Sequence, residues 1–140
     1  MRALLFVLIA ASLGVAHAAP PRVIRMVTAA RIADRMPQGE RDRFPAEGKV
    51  YAWARVDNSQ GPPTRLVFVW RQGDRVVHRG PVKVGSSPAF RTWGRRWLHP
   101  QHTGPWTVQL ETEAGEVLAR RAFTVSDAPA PAARSAPAPT

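Results

Sequence analysis

Between Val23 and Val125 the apolar side chains of this 140-residue chain return at every second position, and turn-forming residues break the runs at the short intervals of a sandwich. A period of two is that of a strand with one buried face, and it leaves little room for helices. Val50, Ala52, Ala54 and Val56 oppose Tyr51, Trp53 and Arg55 in a strand that ends at Asn58-Ser59-Gln60-Gly61-Pro62-Pro63. Leu66, Phe68 and Trp70 share a face of the next, which Gln72-Gly73-Asp74 turns into a hairpin with Arg75 to His78. Val82 and Val84 lead to a Gly85-Ser86-Ser87-Pro88 loop, after which Arg91 to Trp97 read as a strand. Trp106, Val108 and Leu110 alternate in another, and Glu113 to Glu116 turn it into a last one whose face carries Val117, Ala119, Arg121, Phe123 and Val125. Val23 to Ile32 are read as the first strand, ended by Met36-Pro37-Gln38-Gly39. The expected fold is all-β: an immunoglobulin-like antiparallel sandwich of seven or eight strands.

The chain has no cysteine, so no disulfide can reinforce this fold and no lipid anchor can attach through one. Stability must come from a packed core. Met1-Arg2, the apolar run Ala3 to Val15 and the small residues Ala16 and Ala18 read as an export signal over residues 1–18, with the mature chain starting at Ala19. No later segment is apolar and long enough to span a bilayer as a helix, so no transmembrane span is expected after cleavage. Ala128 to Thr140, a Pro/Ala segment without an aromatic or a large aliphatic residue, is expected to be a disordered tail. One domain of just over a hundred residues, 19–127, lies between them, a length that folds without a metal or a staple. The expected location is the periplasm, or outside the cell.

The net charge is +10, and eighteen of the twenty basic residues are arginine. Guanidinium groups favour bidentate contact with carboxylate, phosphate or sulfate and stack on rings. They coincide with tryptophan in Arg91-Thr92-Trp93-Gly94-Arg95-Arg96-Trp97. On a strand, Arg91, Trp93, Arg95 and Trp97 share one face, where guanidinium planes could layer against indoles. Arg96 adjoins that row with the opposite parity. Such a row either stiffens the sheet or forms a receptor surface, with indoles stacking on rings and guanidiniums holding anions. Trp53, Trp70 and Trp106 are expected instead between the sheets.

Other chemistry is thinly supplied. His99 and His102 have an HxxH spacing, but no third ligand lies near and a solvated loop is the better reading. His78 stands alone at a strand end. The ten carboxylates are scattered, mostly over turns and solvent faces, with no pair on a shared apolar background, and Ser86-Ser87 lacks a nucleophile elbow, so neither acid–base nor nucleophilic catalysis is expected. No Gly-rich phosphate loop precedes a helix. The chain is therefore expected to be no enzyme and to need no cofactor.

The order of motifs resembles the bacterial domain-of-unknown-function family 2914, from about Val23 to Val125. The resemblance rests on Asp34-Arg35-Met36-Pro37, Val50-Tyr51-Ala52-Trp53, Trp70 followed by Gly73, Arg91-Thr92-Trp93 with Leu98 and Pro100, Gly104-Pro105-Trp106-Thr107-Val108, and Gly115-Glu116-Val117-Leu118. Two segments depart from the family pattern: Phe68 stands where a His is usual, and Gly94-Arg95-Arg96 stand where Ser-Ser-Lys is common. The resemblance implies an accessory sandwich of the bacterial envelope and no substrate.

Together these readings give an expected function: a non-enzymatic periplasmic binding or adaptor module for an anionic envelope component. The component would be a polysaccharide or an acidic protein surface, recognised through Arg91, Trp93, Arg95, Arg96 and Trp97. The alternative is a structural or assembly domain in which the row only stabilises the sheet. Nucleic acid is disfavoured as a partner because an exported protein seldom meets it.

Overall fold

The apolar alternation folds as the sequence predicts, into strands that each bury one face. The computed structural model describes residues 19–127; the leader expected over 1–18 and the Pro/Ala tail expected over 128–140 lie outside the described residues. The strands are β1 (Arg22–Ala33), β2 (Met36–Glu40), β3 (Arg43–Pro45), β4 (Gly48–Asp57), β5 (Thr64–Gln72), β6 (Arg75–Val84), β7 (Phe90–Leu98), β8 (Gly104–Thr112) and β9 (Val117–Ser126). One 3-10 turn, Pro100–His102, lies between β7 and β8. Among the described residues no helix is long and apolar enough to cross a membrane.

The strands form a four-stranded sheet, β2-β1-β4-β7, and a five-stranded sheet, β3-β9-β8-β5-β6. All pairings are antiparallel except β3 with β9. With β1, β4 and β7 in one sheet and β6, β5, β8 and β9 in the other, this is the immunoglobulin-like arrangement. Trp70 lies on β5, the counterpart of the strand on which such domains keep a buried tryptophan.

Among the described residues the count is nine strands rather than seven or eight, and the two additions are short. Met36-Pro37-Gln38-Gly39 do not end the first strand; they return antiparallel to it as β2. The turn is Asp34-Arg35, with φ of 50° and 61°, the left-handed pair that a two-residue hairpin requires. Neither residue is a glycine, so the usual signature is missing, and Pro37 is tolerated because β2 is an edge strand. β3 has only three residues and shows no alternation to read.

Phe68, Trp70, Trp106, Leu110 and Phe123 fill the core from the five-stranded sheet. Phe123 meets Phe44 and Trp70 edge-on and stacks on Trp106 at 5.8 Å. The four-stranded sheet answers with small side chains: Val50, Ala52, Ala54 and Val56 from β4, with Met26 and Leu98 beside them. Gly94 is required here. A Cβ on it would lie 3.0 Å from Cδ2 of Phe68 and 3.3 Å from its Cγ, so the glycine lets β7 close over the ring. Phe68 and Gly94, each in a segment where the resemblance noted above breaks, thus lie against each other.

On β9 the expected face holds for Ala119, Arg121, Phe123 and Val125, but Val117 leaves it. A register shift between Leu110 and Glu111 pairs Val117 with Glu111 and exposes it. Arg121 reaches across to β1, its Nε donating to the Met26 carbonyl at 2.6 Å.

Candidate functional site

The β4–β7 register decides which residues share the outer face of the four-stranded sheet. Lys49 pairs with Trp97, Tyr51 with Arg95, Trp53 with Trp93 and Arg55 with Arg91, all of them alternating with core residues. On the other side of β4, Arg55 pairs with Arg25, Trp53 with Val27 and Tyr51 with Ala29. Directly opposed side chains in an antiparallel pair stand about 4.5–5.5 Å apart at Cβ. One face therefore joins Tyr51, Trp53, Trp93 and Trp97 to Arg25, Lys49, Arg55, Arg91 and Arg95. At about 3.3 Å per residue the β7 row alone runs roughly 20 Å, the reach of an extended polymer segment.

Four of the five sequence-predicted residues, Arg91, Trp93, Arg95 and Trp97, lie on this face; Arg96 does not. It pairs with Val50 on the inner side of the sheet, where its Nε is buried and has no hydrogen-bond partner. The parity that gathers the other four excludes it. The expected layering of Arg91 and Arg95 on the indoles is also replaced. The cations over the rings come from neighbouring strands: Lys49 Nζ lies 4.4 Å from the Trp97 ring centre, and the Arg25 guanidinium 5.7 Å from that of Trp53. Same-face neighbours along one strand are farther apart than directly opposed residues of adjacent strands, so the closer contact is made sideways.

Trp53 is buried as expected, but not between the sheets. It belongs to the outer face, where its Nε1 donates to the Arg35 carbonyl at 2.9 Å and so fastens the left-handed turn. Arg25, over its ring, is ion-paired with Glu40. Exposure rises across the sheet from this fastened half to the free one: Trp53 is fully buried, Trp93 half-buried and Trp97 54% exposed. The carboxylates near this face, Glu40 and Asp57, stand beside Arg25 and Arg22. Among the described residues Lys49, Arg55, Arg91 and Arg95 have no acidic partner. The free half is accordingly basic and aromatic together.

Surface depressions lie elsewhere. One of about 610 Å³ is lined by Pro63, Thr64, Arg65, Lys83 and Glu113, and one of about 560 Å³ by residues of β1, β9 and the β2–β3 link. No histidine lines either. His78, on the inner side of β6 opposite Trp70, is held below the ordinary imidazole value by burial and then by the charge of Arg96. His102 is lowered by burial, then by His99, Arg96 and Arg75. Its Nδ1 accepts from the His99 amide at 3.0 Å and its carbonyl accepts from Trp106 Nε1 at 2.7 Å, so the expected solvated loop is partly a buried anchor.

The sequence reading missed Lys49, Arg25 and the outer position of Trp53. The alternation of β4 already set Tyr51, Trp53 and Arg55 opposite its core residues; what it lacked was the adjacency of β4 and β7. No curated protein matches the chain. A family model described as Protein of unknown function (DUF2914) matches residues 63–125. That stretch runs from the start of β5 almost to the end of β9, so it holds β7 and the Arg/Trp row but not the earlier motifs at Asp34 to Pro37 and Val50 to Trp53. On that match, residues 63–125 of the chain belong to the DUF2914 family.

Proposed function

We propose that the chain is a non-enzymatic binding module of the bacterial envelope, and that the free half of the outer face recognises an acidic polysaccharide. The observation that carries this reading is Trp97, exposed at the margin of the sheet with Lys49 over its ring and Arg95 and Arg91 on the same row. An exposed indole offers a flat apolar platform for a sugar ring, and the unpaired cations beside it offer partners for uronate or sulfate groups. The flat, extended shape of the face suits a chain of residues better than a single small molecule. The export signal expected over residues 1–18 supports the reading, because the envelope is where such polymers occur.

The fastened half favours a second role for part of the same face. Trp53, Arg25 and Glu40 hold the β1–β2 hairpin, which supports a stiffening role for these residues rather than for the Arg/Trp row.

The test is retention on an immobilised polyuronate, compared with a neutral glucan and with a plain carboxylate exchanger of equal charge density. Retention on the polyuronate should exceed that on the exchanger, fall steeply with salt, and drop in Trp97→Ala and Arg95→Gln. Equal elution from polyuronate and exchanger would leave only general charge attraction and sink the proposal. Selective capture of acidic proteins with no polyuronate preference would transfer the face to a protein partner.

A further inference from the structure

A second cationic constellation lies on the other side of β7, at the flank where β6 and β7 are the outermost strands of the two facing sheets. Register fixes what points between them. His78 stands opposite Trp70 and Gly80 opposite Phe68, while Gly94 stands opposite Ala52 and Arg96 opposite Val50. Since Trp70, Phe68, Ala52 and Val50 are core residues, His78 and Arg96 both lie on the core-side register of the two edge strands, His78 exposed at the rim and Arg96 half-buried. The 3-10 turn adds His99 and His102, whose ring centres are 5.3 Å apart. Gln72 ties the β5–β6 turn to that loop through the carbonyls of Gln101 and Thr103, at 3.2 and 3.4 Å, which brings Arg75 to the same end. The charges acting on the two imidazoles are Arg96, His99 and Arg75, with no carboxylate among them.

Hydrogen bonding at the centre of this cluster, from Arg96 and His102, is one-sided. An arginine side chain only donates. His102 spends its Nδ1 as an acceptor from the His99 amide, so its Nε2 carries the hydrogen of the neutral ring and also donates. The Nε–H of Arg96 is buried and unsatisfied, an expensive condition for a charged donor unless an acceptor is supplied from outside the chain. The Arg96 guanidinium of β7 and the Nε2–H of His102 on the 3-10 turn offer donors only, and the neutral ring of His78 on β6 can present its N–H beside them, which matches a group that accepts in several directions.

We propose that this flank is a binding site for a tetrahedral oxyanion, a phosphate or sulfate group, held by Arg96 with His102 and His78. It is separate from the outer face, because Arg96 and Trp97 point to opposite sides of the same strand.

The test follows the arginine Nε–H and imidazole signals of the purified protein by nuclear magnetic resonance. Sodium phosphate is titrated in at constant ionic strength against sodium chloride. The signals of Arg96 and His102 should move saturably while other arginines stay still, and phosphate should raise the unfolding midpoint more than chloride does. Sulfate should act alike and acetate more weakly. Arg96→Gln should abolish both effects and Arg96→Lys, which keeps the charge but loses the fork, should weaken them. His78→Gln should weaken them too, while Trp97→Ala should leave them unchanged, which keeps this site distinguishable from the polysaccharide face. A hexose phosphate that binds as well as inorganic phosphate would support an ester carried on a larger molecule; one that is excluded would support the free ion. The proposal is overturned if the shifts scale with ionic strength at every arginine, if acetate equals phosphate, or if Arg96→Gln responds like the parent. It is also overturned if Arg96→Gln self-associates while the parent ignores phosphate, for Arg96 would then be an inward charge guarding an edge strand.

Discussion

The five-stranded sheet keeps Phe68, Trp70, Trp106 and Phe123 between the sheets, whereas the four-stranded sheet turns Tyr51, Trp53, Trp93 and Trp97 away from them. The centre of the core thus sets large rings on one wall against Val, Ala and Gly on the other, with Met26, Leu98 and Phe90 of the four-stranded sheet around them. None of the four-stranded sheet's tryptophans is needed to fill it. That difference shows where selection for something other than packing can act: an indole that fills no core is free to stiffen a hairpin, as Trp53 does, or to meet a ligand, as we propose for Trp97.

The comparison can be broken most directly in the five-stranded wall. Phe123→Ala removes the ring that touches Phe44, Trp70 and Trp106, and should cost about 3–5 kcal/mol in denaturant unfolding. Gly94→Ser tests the thin wall by adding atoms against Phe68, and should cost about 1–3 kcal/mol. A double-mutant cycle with Phe68→His should show the two family-like residues costing less together than the sum of their separate effects; strict additivity would mean that their contact does not couple them. Trp53→Phe keeps an aromatic ring but loses the bond to Arg35, and should cost about 1 kcal/mol, setting it apart from its exposed neighbours. Trp97→Ala should change stability by less than about 0.5 kcal/mol while lowering polyuronate retention. A larger loss of stability would make Trp97 structural and erase the distinction between the halves of the outer face.

The smallest expected effect concerns the flank where the two walls meet. His78 and His102 titrate below the ordinary value of 6.5 in the folded state, so the unfolded chain binds protons first as the pH falls. Stability is therefore complete above about pH 6.5 and declines on acidification toward the folded-state values. The unfolding midpoint should fall between about pH 7 and 5, and His102→Gln should flatten that fall; an unaltered slope would place the acid sensitivity elsewhere.

Much of this architecture was legible because period-two alternation reports a buried face directly. The faces of β4, β5 and β8 follow from it, and so does the separation of Arg96 from Arg91, Trp93, Arg95 and Trp97. What could not be read is whatever depends on which strands are neighbours. Lys49 reaches Trp97 only because β4 lies beside β7, and His78 meets the field of Arg96 only because β6 and β7 face each other across the sandwich. Local signals failed in two further places. Asp34-Arg35 make a hairpin without glycine, and the shift at Leu110 and Glu111 moves Val117 off its face. In the first, the Trp53 bond to the Arg35 carbonyl holds a backbone that the residues alone do not prefer; in the second, a one-residue shift changes the face without a turn residue to announce it.

The turn at Asp34-Arg35 has a consequence in time. A left-handed conformation at Arg35 is disfavoured for an L-residue and is held here by an indole eighteen positions away. An isolated β1–β2 ribbon therefore has little to stabilise it and is a poor nucleus for folding. β4 has to be in place before β2 is secured, which makes β2 a late addition during folding and an early departure during unfolding. Amide exchange should report this order: the β2 amides exchange through a small local opening that leaves β4 and β8 protected, and Trp53→Phe widens that opening without speeding exchange in the core.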